Sequence, residues 1–367
     1  RVSLMVKKCT SSHLIPIIFA ALTWFIIIPS HANLLVSNNE VKAWVDQYVL
    51  PSYKNLHQAN LHLQTHAGGL CDAKSLHQLD KMQPHFSKAL EAMAYSQAID
   101  GGPMQDELRN FQLYFWPDRN NLVNKQLAKL MDESNLQVLQ ELGLEHASVA
   151  LAGYPALERL LFEPYYRQTV IQDQEKFGCY YIVTITNNLV RITAAINEDW
   201  SAKWRAQLVG PSVSNSRFKK PADQVSFIFS NIDVLLTKII TKKLAKPLAS
   251  KVTKAKPKRL ESWRSSNSLI MLKANARGLT DSLNITLKPA LIRAGETPHW
   301  HQISNHLSLI QQKLDQLPTP LVTHLSEPQH WLAVNALQEQ FIQLQAKLRE
   351  LYPRLNVHLG FNAYDGD

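Results

Sequence analysis

The sequence predicts an all-α protein built from two helical-bundle domains packed side by side, and three observations carry that expectation. Apolar residues recur at alternating intervals of three and four along most of the chain, no stretch of similar length alternates with period two, and Gly, Pro and Ser gather between the periodic stretches. A chain of 367 residues also exceeds what one hydrophobic core usually serves, which favours two domains over one.

Residues 1–32 read as an export signal. Lys7 and Lys8 precede an apolar run over 14–28, and Ser30-His31-Ala32 offers a small-x-small cleavage site. Cleavage is expected after Ala32; the alternative is a retained N-terminal anchor, for which the run is short. Loss of this segment lowers the formal charge from +9 to about +6, a mild excess that, together with export, argues against a nucleic-acid partner. It also leaves Cys71 and Cys179 as the remaining cysteines. In an oxidising compartment they are a candidate disulfide, the alternative being two buried thiols.

Residues 39–66 predict one long helix, a Gly68-Gly69 break and a second helix over 75–99 that stops at Gly101-Gly102-Pro103. Ile182, Ile185, Leu189, Ile192 and Ile196 form one apolar stripe, with Cys179 in phase. Gly210-Pro211-Ser212-Val213-Ser214-Asn215-Ser216 is the strongest loop signal and marks the expected junction between an N-terminal domain, 33–215, and a C-terminal bundle, 216–367. Beyond it, Val225, Ile228, Ile232, Leu235 and Ile239 repeat the rhythm. So do Ile303, Leu307, Ile310, Leu314 and Leu317 before Pro318, and then Val334, Leu337, Phe341, Leu344, Leu348 and Leu351, with Ser326 and Gln329 as a candidate capping box. The run 242–259 holds Lys242, Lys243, Lys246, Lys251, Lys254, Lys256, Lys258 and Arg259 and no acidic residue. With Pro247 and Pro257 inside it, the run reads as a solvated loop, and secondarily as a contact for an anion, a glycan or a lipid headgroup.

Common catalytic signatures are absent from the sequence: H-E-x-x-H, G-x-S-x-G, a phosphate-binding Gly-rich loop and Cys pairs at zinc spacing. Three other segments stand out: Gly153-Tyr154-Pro155-Ala156-Leu157-Glu158 leading into an apolar helix, Glu261-Ser262-Trp263-Arg264-Ser265-Ser266-Asn267-Ser268, and the closing Asp365-Gly366-Asp367. With Phe115-Trp116-Pro117-Asp118, their order and spacing resemble the imelysin family, also called the M75 peptidase or iron-regulated protein A family, over essentially the whole chain after residue 32. The resemblance implies a bacterial cell-envelope protein linked to iron uptake, built from two helical domains with a site at their interface. It also implies a G-x-H-x-x-E motif, and here Pro155 stands in the histidine position.

His and Glu three residues apart share a helical face and could share a metal; proline has no donor atom. The expected site therefore joins Gly153, Pro155 and Glu158 to Trp263, Arg264, Ser265 and Ser268, with Glu158 paired to Arg264 and no catalytic residue, metal or cofactor. Plainer readings are a Glu158 stabilised by its helix N-terminus and a Trp263 packed in the core. The expected function is a periplasmic, non-peptidase binding or accessory component, soluble after cleavage or peripherally membrane-associated, whose partner is a small ligand or an envelope protein. Two alternatives stand beside it. One is an M75-type metallopeptidase with a divalent metal near Glu158 held by displaced histidines, such as His62 with His66 or His299 with His301. The other is binding of an acidic polysaccharide by the 242–259 run.

Overall fold

Long apolar stripes need partners, and the helices supply them to one another both as chain neighbours and across long stretches of sequence. A computed structural model describes residues 36–144, 147–215 and 217–359. The expected leader and Asp365-Gly366-Asp367 lie outside the described residues. Helix α1 (Asn38–Trp44) runs through a wide π turn, Val45–Val49, directly into α2 (Leu50–Ala67). Helix α3 (Leu76–Ser96) starts at Ser75, whose Oγ accepts from the Gln78 N–H at 3.2 Å, and tightens into a 3-10 turn at Gln97–Ile99. Then follow α4 (Leu122–Glu133), α5 (Tyr154–Phe162), α6 (Pro164–Gln172) and α7 (Phe177–Asp199). Helix α8 (Pro221–Lys238) continues through a π turn, Ile239–Leu244, into Ala245–Leu248; α9 (Ser268–Arg293), α10 (Thr297–Gln316) and α11 (Pro328–Leu351) complete the chain. All regular structure among the described residues is helical.

Every stripe residue named from the sequence after 182 is buried, from Ile182 to Leu351. Each such aliphatic side chain contributes about 1.5–3 kcal/mol on leaving water, so these stripes are the principal reason the helices assemble. Helix α2 packs between α3 and α7, α3 packs on its other side against α9, and α10 packs against both α9 and α11. The α3–α9 approach is close: a Cβ on Gly278 would lie 2.4 Å from the Tyr95 carbonyl oxygen. Polar ties fasten α1 to α9 as well. Trp44 Nε1 donates to Ser282 Oγ at 2.7 Å, and the half-exposed Arg293 clasps the buried Glu40 with Nη2 3.0 Å from Oε2. Helices from both sides of 210–216 thus share a core, and the described residues belong to one compact unit. Cys71 and Cys179 are disulfide-bonded, tying the turn after α2 to the start of α7.

Two local expectations differ from the structure. Glu327, not Ser326, takes the N-cap position of α11 without a side-chain cap bond, because Pro328 sets the first turn one residue later. The basic run is not a loop throughout: 239–248 is helical because Ile239, Ile240, Leu244 and Leu248 extend the α8 stripe, which buries Lys242 and Lys243 with it. The continuous helix 221–248 is long and apolar enough to cross a bilayer, but 67% of its most apolar window is buried inside the protein, as in a core helix.

Candidate functional site

The Gly153 segment is held where it is by lack of space. A Cβ at Gly153 would sit 2.2 Å from the Gln112 carbonyl oxygen and 2.3 Å from that of Leu113, so only glycine lets this chain cross the end of Arg109–Leu113. Pro155 occupies the first turn of α5, where its missing N–H costs nothing. Tyr154 anchors the same turn by donating to Asn60 Oδ1 at 2.8 Å. One turn later Glu158 points to a cavity of about 510 Å³, large enough for a small organic ligand.

The opposite wall is the tight turn ahead of α9. Ser262 and Ser266 adopt left-handed backbone conformations (φ 47° and 61°), and the Asn267 N–H closes the turn on the Ser262 carbonyl at 3.2 Å. Such residues cost roughly 1–3 kcal/mol each and concentrate where a side chain must be presented. Here the turn presents Trp263, Arg264 and Ser265. Glu158 is 6% exposed, and its Oε1 accepts from both the Ser265 N–H (3.0 Å) and Ser265 Oγ–H (2.7 Å). Burial pushes its carboxyl above the ordinary range, opposed by the two Ser265 bonds and by the charges of Arg264 and Arg159.

Arg264 does not pair with Glu158 as expected; its Nε is hydrogen-bonded to Glu163 Oε1. The reason is that Glu163, one turn along α5 and just past its end, is already clasped by Arg159 (Nη1 to Oε1, 2.8 Å) and reaches the turn with a less buried carboxylate. Arg264 also stacks on Trp263, with its guanidinium carbon 4.4 Å from the ring centroid, and Lys258 Nζ lies 5.5 Å from the same ring. Trp263 is half-buried: it packs against the edge of the hydrophobic core and also lines the cavity. Ser268 does not reach the cavity: its buried hydroxyl donates to the Glu261 carbonyl at 2.5 Å and braces the turn from behind.

Trp116, Pro117 and Asp118 do line the cavity. Asp118 also has a structural task, accepting from the Leu122 N–H (2.7 Å) and the Val123 N–H (3.0 Å) at the start of α4. The sequence reading missed Tyr114, Phe115, Arg119, Arg159, Lys242, Lys246 and Arg259 as wall residues. The available signal was the four-residue spacing of Lys242 and Lys246, which places them on one face once that segment is read as helix. Seven basic side chains and two carboxylates now share the wall with four aromatic rings.

A divalent metal at the motif position does not fit this arrangement. Pro155 has no donor, Glu158 Oε1 is engaged by Ser265, the charges that act on Glu158 are those of Arg264 and Arg159, and none of the described wall residues is His or Cys. The displaced histidines lie elsewhere. His66 bonds the His62 carbonyl at 2.8 Å and stacks on His85 at 3.6 Å, His62 and His85 lining a separate cavity, while His299 pairs with Glu296 at 2.6 Å and His301 is exposed.

An all-helical protein with a basic, aromatic-walled cavity around one buried carboxylate is thus defined by fold and site. The model of the imelysin family, Peptidase_M75, matches residues 49–348, and the chain belongs to that family. It is 19% identical to iron-regulated protein A of Synechococcus elongatus over 317 residues, covering 83% of this chain and 82% of the relative. Among solved structures it is similar to an imelysin-like protein from Psychrobacter arcticum 273-4, with TM-score 0.72, 20% identity and coverage of 89% and 99% of the two chains. It is also similar to a protein from Parabacteroides distasonis ATCC 8503 named as an iron-regulated protein A precursor, with TM-score 0.73, 13% identity and coverage of 89% and 96%.

Proposed function

We propose that this imelysin-family protein is exported to the cell envelope and acts there, without peptidase activity, by binding an anionic small ligand in the Glu158 cavity as part of iron acquisition. The observation that carries the reading is the wall itself, with cations from α5, the end of α8 and the 257–264 segment converging on one concave site beside aromatic faces. Forked guanidiniums suit carboxylate or phosphate oxygens, and a stacked Trp suits a planar group. The iron link rests on the names of the relatives. The chemistry joins the two, since iron outside cells travels as anionic chelates of carboxylates or catecholates.

Calorimetry with citrate, ferric citrate and inorganic phosphate tests this reading. Lys242→Gln with Lys246→Gln should weaken binding about tenfold or more, the scale of losing one or two charge-assisted bonds. Glu158→Gln should keep or tighten it by removing a repelling charge. Zinc-dependent, chelator-blocked proteolysis abolished by Glu158→Gln would overturn the proposal in favour of a metallopeptidase. Salt-sensitive retention on an acidic polysaccharide, lost on neutralising Lys251 and Lys254, would move the ligand from the cavity to the exposed part of the basic run. N-terminal sequencing of a periplasmic fraction should begin after Ala32.

A further inference from the structure

Outside the cavity, His324, Glu327 and His330 recur at intervals of three. On an α-helix the first and last of these would lie about 120° apart around the axis, but successive i→i+3 turns of the backbone eclipse all three. The backbone here does so: the Glu327 N–H bonds the His324 carbonyl at 2.9 Å, and the His330 N–H bonds the Glu327 carbonyl at 3.1 Å. The three side chains consequently meet at the junction between the short helix Leu321–His324 and the first turn of α11. His324 Nδ1 lies 2.8 Å from Glu327 Oε1, His330 Nδ1 lies 3.2 Å from Glu327 Oε2, and one donor atom from each residue falls within 4.8 Å of the others. All three are partly buried, and the rings face each other edge to face at 5.4 Å.

We infer that His324, Glu327 and His330 form a binding site for a divalent first-row transition ion, zinc being the probe of choice. Two imidazoles and one carboxylate are the donor set such ions take, and three protein ligands leave a place for water or an outside donor. Bonds of about 2.0–2.1 Å put ligand atoms roughly 2.8–3.0 Å apart in octahedral and roughly 3.3–3.4 Å apart in tetrahedral coordination, a span that holds the 2.8 and 3.2 Å separations already present. With neutral imidazoles the cluster carries one negative charge, so a cation gains attraction as well as donors. His330 Nδ1 is shielded from solvent without a well-aligned acceptor, a donor atom that the ion would satisfy. The Leu321–His324 turn packs against Pro257–Arg259, which forms part of the cavity wall, so a bound ion would also brace that wall from outside.

Equilibrium dialysis of the tag-free chain, stripped with EDTA and titrated with zinc, tests the site, with thermal shift as a second readout. One equivalent should bind and raise the melting temperature. Affinity should fall about tenfold or more in His330→Ala and in Glu327→Gln, the latter keeping the shape of the α11 start, and vanish in His324→Ala with His330→Ala. His62→Ala with His85→Ala should leave binding unchanged. Unaltered zinc affinity in the His324 and His330 double variant, or loss in the His62 and His85 variant instead, would overturn the assignment, as would the absence of any zinc uptake by a chain whose circular dichroism is native.

Discussion

Replacing Lys243 with Met should destabilise the protein by about 4 kcal/mol, within the 3–5 kcal/mol typical of stranding one member of a buried ion pair. Lys243 is 1% exposed and its ammonium meets three acceptors: Glu261 Oε2 at 2.7 Å, Asn275 Oδ1 at 2.6 Å and Gln97 Oε1 at 2.9 Å. Its ammonium therefore exchanges water for two amide oxygens by hydrogen bond and one carboxylate by ion pairing, at the meeting of α3, the α8 extension and α9. Methionine removes these contacts while leaving the Glu261 carboxylate, 2% exposed, without its cation. Gln97 keeps a donor in Asn275 Nδ2 at 3.0 Å, so the stranded carboxylate supplies most of the cost. Urea unfolding followed by circular dichroism should show a midpoint lowered on the order of 1 M, and adding Glu261→Met should recover most of the loss. The pH dependence has a definite sign. Burial, outweighing Glu261 and helped by nearby Lys238, pulls the Lys243 ammonium from 10.5 down to about 8. Between those values the unfolded chain holds a proton that the folded one has released, so unfolding becomes harder with rising pH by at most about 1.4 kcal/mol per unit. The gap between wild type and Lys243→Met should accordingly widen from pH 8 to 10.5 and stay flat below. A loss under about 1 kcal/mol for Lys243→Met would refute the reasoning, because it would mean that water reaches Glu261.

Removing the disulfide with Cys71→Ser and Cys179→Ser should cost about 4–5 kcal/mol on the chain-entropy model for a separation of 108 residues, seen as a lower thermal midpoint of the variant and of the reduced wild type alike. Gly153→Ala should lose about 3 kcal/mol or fail to accumulate, since its methyl would overlap two carbonyl oxygens; thermal unfolding within a degree of wild type would contradict the packing described. A double-mutant cycle should find coupling of about 1 kcal/mol or more between Arg264 and Glu163 and a smaller value between Arg264 and Glu158, following the direct contact.

The helices were legible because each stripe repeats a period that no other secondary structure shares, and a buried face tolerates no change of phase. Side-chain partners were not. Glu158, Glu163 and Arg264 all lie in segments that the sequence singles out or adjoins, but whether a guanidinium meets the first carboxylate or the second depends on one helical turn and on how deep each carboxylate sits. Periodicity fixes faces, not the separations of 2.7–3.0 Å at which Glu158 and Ser265 meet.

The basic run shows the other way a local reading fails. Pro247 signalled a loop, but it falls near the end of a helix that the preceding isoleucines had already committed to the core. Those isoleucines carry Lys242 and Lys243 inward, where one faces the cavity and the other meets Glu261. Charge that a composition count assigns to solvent is thereby concentrated around a single concave site, and the cost of holding it there is met by the apolar stripe on the same helix. The site's electrostatics thus follow from the register of α8: a shift of one residue would turn both lysines away from their present partners, taking a cation from the wall and the counter-charge from Glu261.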